Sequence, residues 1–308
     1  MKVRLGRPDL SRHADLFDLP RARDGAGPSV TFLGVATLLF QDATSALMTD
    51  GFFSRPSLPA VGLRRLAPDH ARIDAALARA GVTSLDALVP VHTHFDHAMD
   101  AAVVAARTGA LLVGGPSTAA IGRGGGLPQD RIVRAVPGEP LTFGSFTLTL
   151  VGSRHCPPDR YPGSIDAPLT PPVRASAYRC GETWSLLLAH TGGSTALIQG
   201  SAGFVPGALT GRSADVAYLG VGQLGHQDEG YIRTYWGETV EAVGARRVVL
   251  IHWDDFFRPL SRPLRALPRL GDDLDTTVRV LGALAAEQGV SLHFPTVWRR
   301  EDPWSRPV

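Results

Sequence analysis

Residues 91–97 read Val-His-Thr-His-Phe-Asp-His and place four potential metal ligands within six positions. An apolar run precedes them at residues 85–91, and an alanine-rich run follows at residues 98–108, before Gly109. These patterns predict a buried strand, a turn and a helix, with the ligands in the strand-to-helix turn. Three of the chain's 10 histidines fall in this stretch. Such a concentration favours a binding site over a polar turn with chance histidines.

The spacing of the ligands predicts two neighbouring binding points. His92 and His94 share one face of an extended chain because successive side chains alternate. Asp96 and His97 follow after the chain has left the strand and can reach a second point nearby. Imidazole and carboxylate ligands suit zinc, iron or manganese rather than calcium. We therefore expect Zn²⁺, as one or two ions, with Mn²⁺ or Fe²⁺ as alternatives.

His-x-His-x-Asp-His resembles the signature of the metallo-β-lactamase superfamily. The resemblance implies an α/β fold, a four-layer αββα sandwich of two mixed β-sheets flanked by helices, with ligands at strand ends. The order of predicted elements agrees, because β-rich and αβ segments alternate twice and two buried strands end in His92 and His252. We predict an N-terminal surface arm over residues 1–27 and a single hydrolase domain over residues 28–308.

The resemblance also implies the remaining ligands. His155, after a predicted strand meander over residues 131–151, corresponds to the third-motif histidine and completes a group with His92 and His94. His252 corresponds to the last-motif histidine and joins Asp96 and His97. Residues 251–256, Ile-His-Trp-Asp-Asp-Phe, and the Gly-Gly hairpin at residues 192–193 resemble the ascorbate-phosphate lactonase and N-acylethanolamine phospholipase D branches more than true β-lactamases.

Two positions are expected to support the metal site without binding the metal. Asp50 matches an aspartate that orients the histidine cluster by hydrogen bonding; a turn-forming Asp before Gly51 is the alternative. At residues 200–203 the chain reads Gly-Ser-Ala-Gly, where relatives have Gly-Asp-x-Gly with a metal-bridging Asp. Ser201 binds metal poorly, so the second metal is expected to be weaker. One β-lactamase subclass with this serine stays dinuclear through the histidine that corresponds to His97.

The implied activity is that of a hydrolase in which a metal-activated hydroxide cleaves an ester-type bond. The bond is either a lactone or carboxylic ester, or a phosphodiester or phosphotriester. Asp96 would bind metal and orient the nucleophile, and His226, after a strand at the same edge, would protonate the leaving group. Alternatively, His226 is a loop residue that takes no part in catalysis. Competing functions are a catalytically decayed metal-binding scaffold, a β-lactam hydrolase and a di-iron oxidoreductase.

Several loops bear on the substrate. Phe52 and Phe53 are predicted to be exposed and, with the proline-rich segment 157–176, suggest a partly apolar pocket beneath a lid. Arginines that could meet an anionic group are Arg154, Arg160 and Arg179. The glycine run at residues 124–126 lacks the spacing of a nucleotide loop and predicts a flexible loop.

Composition excludes several other functions. A formal net charge of +2 does not produce the positive electrostatic field that would attract nucleic acid. The sequence also has no run of about 18 apolar residues that could span a membrane. Lys2 is the only lysine, which excludes a Schiff base and a Walker A loop. Two cysteines and a polar N-terminus without a signal-like core predict a cytoplasmic protein, which disfavours a periplasmic β-lactam hydrolase. We expect a small-molecule substrate; the oligomeric state is open, and a homo-oligomer is compatible with the sequence.

Overall fold

The structure, a computed structural model, describes residues 5–23, 25 and 27–305. Within these residues the chain forms two seven-stranded mixed sheets that pack face to face, with helices on their outer faces. The predicted four-layer αββα sandwich is confirmed. None of the described helices is long and apolar enough to cross a membrane.

The first sheet has the strand order β14-β1-β2-β3-β4-β5-β6. Its strands are β1 (Ser29–Phe32), β2 (Leu38–Gln41), β3 (Ala46–Thr49), β4 (Ala87–Val89), β5 (Leu111–Gly114), β6 (Ile132–Arg134) and β14 (Arg300–Glu301). Pairing is antiparallel from β14 to β3 and parallel from β3 to β6. The helices connected to this sheet are α1 (Leu58–Leu63), α2 (His70–Ala80), α3 (Phe95–Ala98), α4 (Ala101–Thr108) and α5 (Pro116–Gly124).

The second sheet repeats this arrangement in the order β13-β12-β11-β10-β9-β8-β7. Its strands are β7 (Pro140–Phe143), β8 (Phe146–Gly152), β9 (Trp184–His190), β10 (Thr195–Gln199), β11 (Val216–Gly220), β12 (Arg247–Ile251) and β13 (Ser291–His293). Pairing is antiparallel from β7 to β10 and parallel from β10 to β13. Its helices are α6 (Glu229–Trp236), continued by a π-helical turn at Gly237–Glu241, and α7 (Leu274–Gln288); 3₁₀ turns lie at Leu10–Leu16, Gln129–Arg131, Ala175–Ala177 and Leu224–His226.

The two sheets share one apolar core. Phe40 of the first sheet and Tyr218 of the second meet edge to face, with ring centroids 5.8 Å apart. Central strands such as β12 are buried along their whole length, which explains their unbroken apolar sequence. Because this core fixes both sheets, the loops at the strand ends are carried on a rigid platform.

The N-terminal segment, predicted as a surface arm, lies against the body where it is described. Phe17 stacks on Phe294, with ring centroids 5.2 Å apart, and Leu19 is buried. Arg21 forms an isolated β-bridge with Glu301. Residues 1–4, 24 and 26 of the predicted arm lie outside the described residues.

Two predictions about local structure are wrong. The glycine run at residues 124–126 is not a separate loop, because α5 extends to Gly124 and the next two glycines form the turn that ends it. A Cβ on Gly124 would lie 2.1 Å from the carbonyl oxygen of Leu169, and one on Gly125 would lie 2.3 Å from the Ala102 Cβ. These glycines therefore permit close packing. The predicted meander over residues 131–151 is also wrong, because its strands belong to different sheets. β6 pairs in parallel with β5 in the first sheet, whereas β7 and β8 lie in the second.

Candidate metal centre

The predicted ligands lie where three strands end. His92 and His94 follow β4, His155 follows β8, and His252 follows β12. Asp96 and His97 come from the single turn of α3, which begins directly after His94. The ends of strands from both sheets thus supply the same site, as is common for sites in α/β folds.

The first group consists of His92, His94 and His155, whose nearest ligand atoms all lie within 4.8 Å of one another. His92 Nε2 is 3.1 Å from His94 Nδ1, and the three ring centroids are 4.7 to 4.9 Å apart. His155 Nδ1 bonds the carbonyl oxygen of Cys156 at 2.7 Å. That bond leaves Nε2 as the nitrogen of His155 that is available to a metal.

The second group consists of Asp96, His97 and His252. The Nε2 atoms of His97 and His252 are 3.1 Å apart, and Asp96 Oδ2 lies 3.7 Å from the first and 3.5 Å from the second. The rings of His92 and His97 have centroids 3.9 Å apart, so the two groups adjoin. The structure therefore brings all six predicted ligands together in two neighbouring groups.

The donor atoms are chemically suited to a divalent metal. Burial lowers the pKa of His92 well below its usual value and that of His155 to about 4. Burial also lowers the pKa of His94, and these rings are therefore neutral at pH 7, as metal ligation requires. Burial alone would raise the pKa of Asp96, but His97 and His252 outweigh it and hold that pKa below its usual range. Burial would lower the pKa of His97, but the Asp50 and Asp96 carboxylates outweigh it and raise that pKa, so a metal bound there would displace a proton from this ring. Imidazoles beside a carboxylate match the ligand chemistry of zinc and iron.

Asp50 contacts His97 from the side away from the ligands. Its Oδ2 is 2.7 Å from His97 Nδ1, and its Oδ1 accepts the N–H of Val91 at 2.8 Å. This contact makes Nε2 the free nitrogen of His97. Asp50 and His252 both have positive φ, 56° and 58°. Such backbone strain costs about 1–3 kcal/mol per residue and is concentrated at functional sites.

Ser201 and His226 lie outside both ligand groups. Ser201 is buried, and its Oγ accepts the backbone N–H of Cys156 at 3.0 Å, next to His155. His226 is exposed on the 3₁₀ turn Leu224–His226. The adjacent Gln227 donates to the carbonyl oxygen of Pro157 at 2.5 Å, so this turn touches the proline-rich segment.

The apolar surface near the centre is not the one that the sequence suggested. Phe52 and Phe53 are buried rather than exposed, because Phe52 packs edge to face on Phe95 and Phe53 packs among apolar residues behind the first sheet. Phe256 and Phe257 are half-buried instead, and the Phe256 ring is 5.6 Å from that of His252. Arg154, Arg160 and Arg179 are exposed.

Two contacts of the centre were missed by sequence reasoning. Asp159, in the proline-rich segment, has Oδ1 3.2 Å from His94 Nε2. Asp254 accepts the N–H of Val35 at 2.8 Å, while Val35 accepts the N–H of His252 at 2.6 Å. The only sequence signals were the position of Asp159 shortly after His155 and that of Asp254 shortly after His252.

Two other histidines are engaged elsewhere. His190, on β9, lies 3.0 Å from Asp42, at the end of β9 opposite to the strand end nearest His155. His293 bonds Asp18 at 2.5 Å. Neither histidine belongs to a ligand group in the described part of the chain.

Neither family models nor curated protein sequences match this chain, whereas many solved structures resemble it. A possible metal-dependent hydrolase from Veillonella parvula is 15% identical, with a TM-score of 0.56 over 89% of this chain and 99% of that chain. The metallo-β-lactamase fold protein YhfI from Bacillus subtilis is 16% identical, with a TM-score of 0.51 over 89% of this chain and 98% of that one. The diiron β-hydroxylase CmlA from Streptomyces venezuelae is 15% identical, with a TM-score of 0.51 over 91% of this chain and 54% of that one.

These similarities show that the chain has the metallo-β-lactamase fold. Its neighbours in structure include a possible metal-dependent hydrolase and a diiron hydroxylase. At such low identity the shared feature is the fold, and function has to be argued from the site.

Proposed function

We propose that this chain is a metal-dependent hydrolase that binds metal in the two adjoining ligand groups and cleaves an ester-type bond. One observation carries the proposal. Five imidazoles and a carboxylate, from segments far apart in the sequence, converge in two groups of three whose ligand atoms lie within 4.8 Å of one another. Buried polar groups are rarely concentrated in this way without a ligand, because their desolvation is unfavourable.

The residues of the site have separable roles in this proposal. A metal held by these residues would acidify water and polarise a carbonyl or phosphoryl oxygen. Asp96 Oδ2 lies 3.7 Å from His97 Nε2 and 3.5 Å from His252 Nε2, and Asp96 would orient the attacking water as well as bind the metal. Asp50 holds His97 by Nδ1 and so leaves Nε2 as the nitrogen that would bind the metal. His226, exposed on its turn, is the proposed acid for the leaving group.

A lactone or carboxylic ester is the substrate that we favour over a phosphodiester or phosphotriester. Phe256 and Phe257 form a half-buried aromatic surface beside His252 and can bind an apolar acyl or aryl group. The resemblance of residues 251–256 to the lactonase and phospholipase branches supports an ester-type bond. Zinc is the proposed metal, and iron is the alternative because the fold also occurs in a diiron enzyme.

A metal-binding scaffold without catalysis is the second candidate. Ser201 favours it, because a hydroxyl at that position supplies no charge to bridge two metals. The two candidates predict the same metal binding and differ in turnover.

Turnover by defined metal forms tests the proposal. The metal-free protein is loaded with Zn²⁺, Mn²⁺ or Fe²⁺ and assayed on a lactone, an aryl ester, a phosphodiester and a phosphotriester. We expect metal-dependent cleavage of the aryl ester or lactone that a chelator abolishes and that His94→Ala reduces by at least about 100-fold. His190→Ala is the matched control, because it removes a histidine remote from the centre. Full metal binding without turnover of any substrate would support the scaffold instead.

A further inference from the structure

Asp159 contacts His94 on the side opposite to the first ligand group. His94 Nδ1 faces His92 Nε2 at 3.1 Å, whereas His94 Nε2 lies 3.2 Å from Asp159 Oδ1. The His94 side chain is 8% exposed, and Nε2 is buried without an aligned hydrogen bond to any described residue, so that its 3.2 Å contact with Asp159 is an ion-pair contact. Among the described ion pairs of His94, Asp159 therefore supplies the only carboxylate that can accept a hydrogen bond from Nε2–H.

The proline-rich segment is anchored around this contact. Tyr161 donates its backbone N–H to Asp159 Oδ1 at 3.1 Å, and its carbonyl oxygen accepts the N–H of Cys180 at 2.8 Å. Cys180 in turn accepts the N–H of Thr93, between the two histidines, at 2.8 Å. The segment at residues 157–176 is thus connected to the ligand turn by backbone bonds and by one carboxylate.

We propose that Asp159 is a positioning residue for the metal centre, which accepts a hydrogen bond from the Nε2–H of His94 and so makes Nδ1 the metal-binding nitrogen. A carboxylate behind a ligating histidine fixes its tautomer and increases its basicity. Because Asp159 belongs to the proline-rich segment, the same contact links the order of that segment to metal binding. The inference rests on the proposed function, since it requires that His94 binds metal through Nδ1.

His94, Asp159 and Cys180 could instead form a metal site of their own, because their ligand atoms also lie within 4.8 Å of one another. The surroundings of Cys180 argue against it. Burial raises the pKa of its thiol to about 12, and its Sγ lies 3.3 Å from Thr183 Oγ1. Such a site would also need His94 Nε2, and one ring would then bridge two metals.

The affinity of the metal-free protein for Zn²⁺, measured by competition with a chromophoric chelator, tests the proposal. Asp159→Ala should weaken the tighter Zn²⁺ site by about 10- to 100-fold. Asp159→Asn should weaken it less, because the amide oxygen still accepts the His94 proton but carries no charge. Asp166→Ala, which removes an exposed carboxylate from the same segment, should leave the affinity unchanged. Zn²⁺ should slow amide hydrogen exchange in residues 159–163 of the wild type and not of Asp159→Ala.

Failure of the Asp159 inference and failure of the proposed function would give different binding results. A wild type that binds Zn²⁺ with Asp159 variants of equal affinity would overturn the inference and leave the proposed function standing. A wild type that binds no metal would overturn the proposed function itself. Loss of one equivalent of Zn²⁺ in Cys180→Ser would overturn the positioning role, because Asp159 would then be a ligand of a separate site.

Discussion

Arg55 and Asp254 form an ion pair in which neither side chain is exposed, although they are 199 residues apart in sequence. Arg55 also donates to the carbonyl oxygens of Asp255 and Arg258. Asp254 accepts a hydrogen bond from the backbone N–H of Val35, whose carbonyl oxygen accepts one from the N–H of His252. The ion pair therefore stabilises a predicted metal ligand in a strained backbone conformation.

Removal of Arg55 should therefore be strongly destabilising. Arg55→Met leaves the Asp254 carboxylate buried without its partner, which should lower the free energy of unfolding by about 3–5 kcal/mol. Chemical denaturation of the metal-free protein measures this change. Arg279→Met, which breaks an exposed pair with Glu229, is the control and should cost less than about 1 kcal/mol. Equal effects of the two substitutions would contradict the role of the buried pair.

Phe256 should determine preference for apolar esters. Phe256→Ala removes an aromatic surface beside His252, so kcat/KM for an aryl ester should fall by about 10-fold, while kcat/KM for an acetate ester of a small alcohol changes little. The ratio of the two rates measures the effect within one protein preparation. A parallel fall for both substrates would indicate damage to the metal centre instead of lost recognition.

Ser201→Asp should tighten the weaker metal. Ser201 is buried beside His155, and a carboxylate there would add a negative charge next to the first ligand group. We expect the second dissociation constant for Zn²⁺ to fall by about 10-fold or more. Ser201→Ala is the control for the lost hydroxyl. Unchanged affinity and stoichiometry in Ser201→Asp would show that this position lies too far from the metals to bridge them.

Asp272 should make stability depend on pH. Burial raises its pKa from 3.8 to about 7 in the folded state. Between these values the folded chain keeps a proton that the unfolded chain has lost, so stability falls as pH rises from about 4 to 7. Asp272→Asn removes this fall, and the variant should gain up to about 4 kcal/mol relative to wild type between pH 4 and 8.

The difference between the two unfolding curves isolates Asp272, because the two proteins share every other titratable group. Asp130→Asn removes an exposed carboxylate and should show no such relative gain. A constant difference between wild type and Asp272→Asn across this pH range would contradict the raised pKa.

The ligand turn was predictable from local spacing. His92 to His97 lie within six consecutive residues, and the directions of their side chains follow from strand and helix geometry. His155 and His252 were predicted only through the family resemblance. The contacts of Asp159 with His94 and of Arg55 with Asp254 depend on how distant loops pack, which no local pattern encodes. The burial of Phe52 was missed for the same reason. Its proline-rich sequence neighbourhood predicts an exposed loop, but its ring packs on Phe95.

The central claim is that two separate ligand groups bind metal, and calorimetric titration of Zn²⁺ into the metal-free protein tests it most directly. We predict two binding events in the wild type, with the Asp96, His97 and His252 group the weaker because it lacks a bridging carboxylate. His155→Ala should lose the tighter event and His252→Ala the weaker one. Wild-type stoichiometry and affinities in both variants would contradict the account.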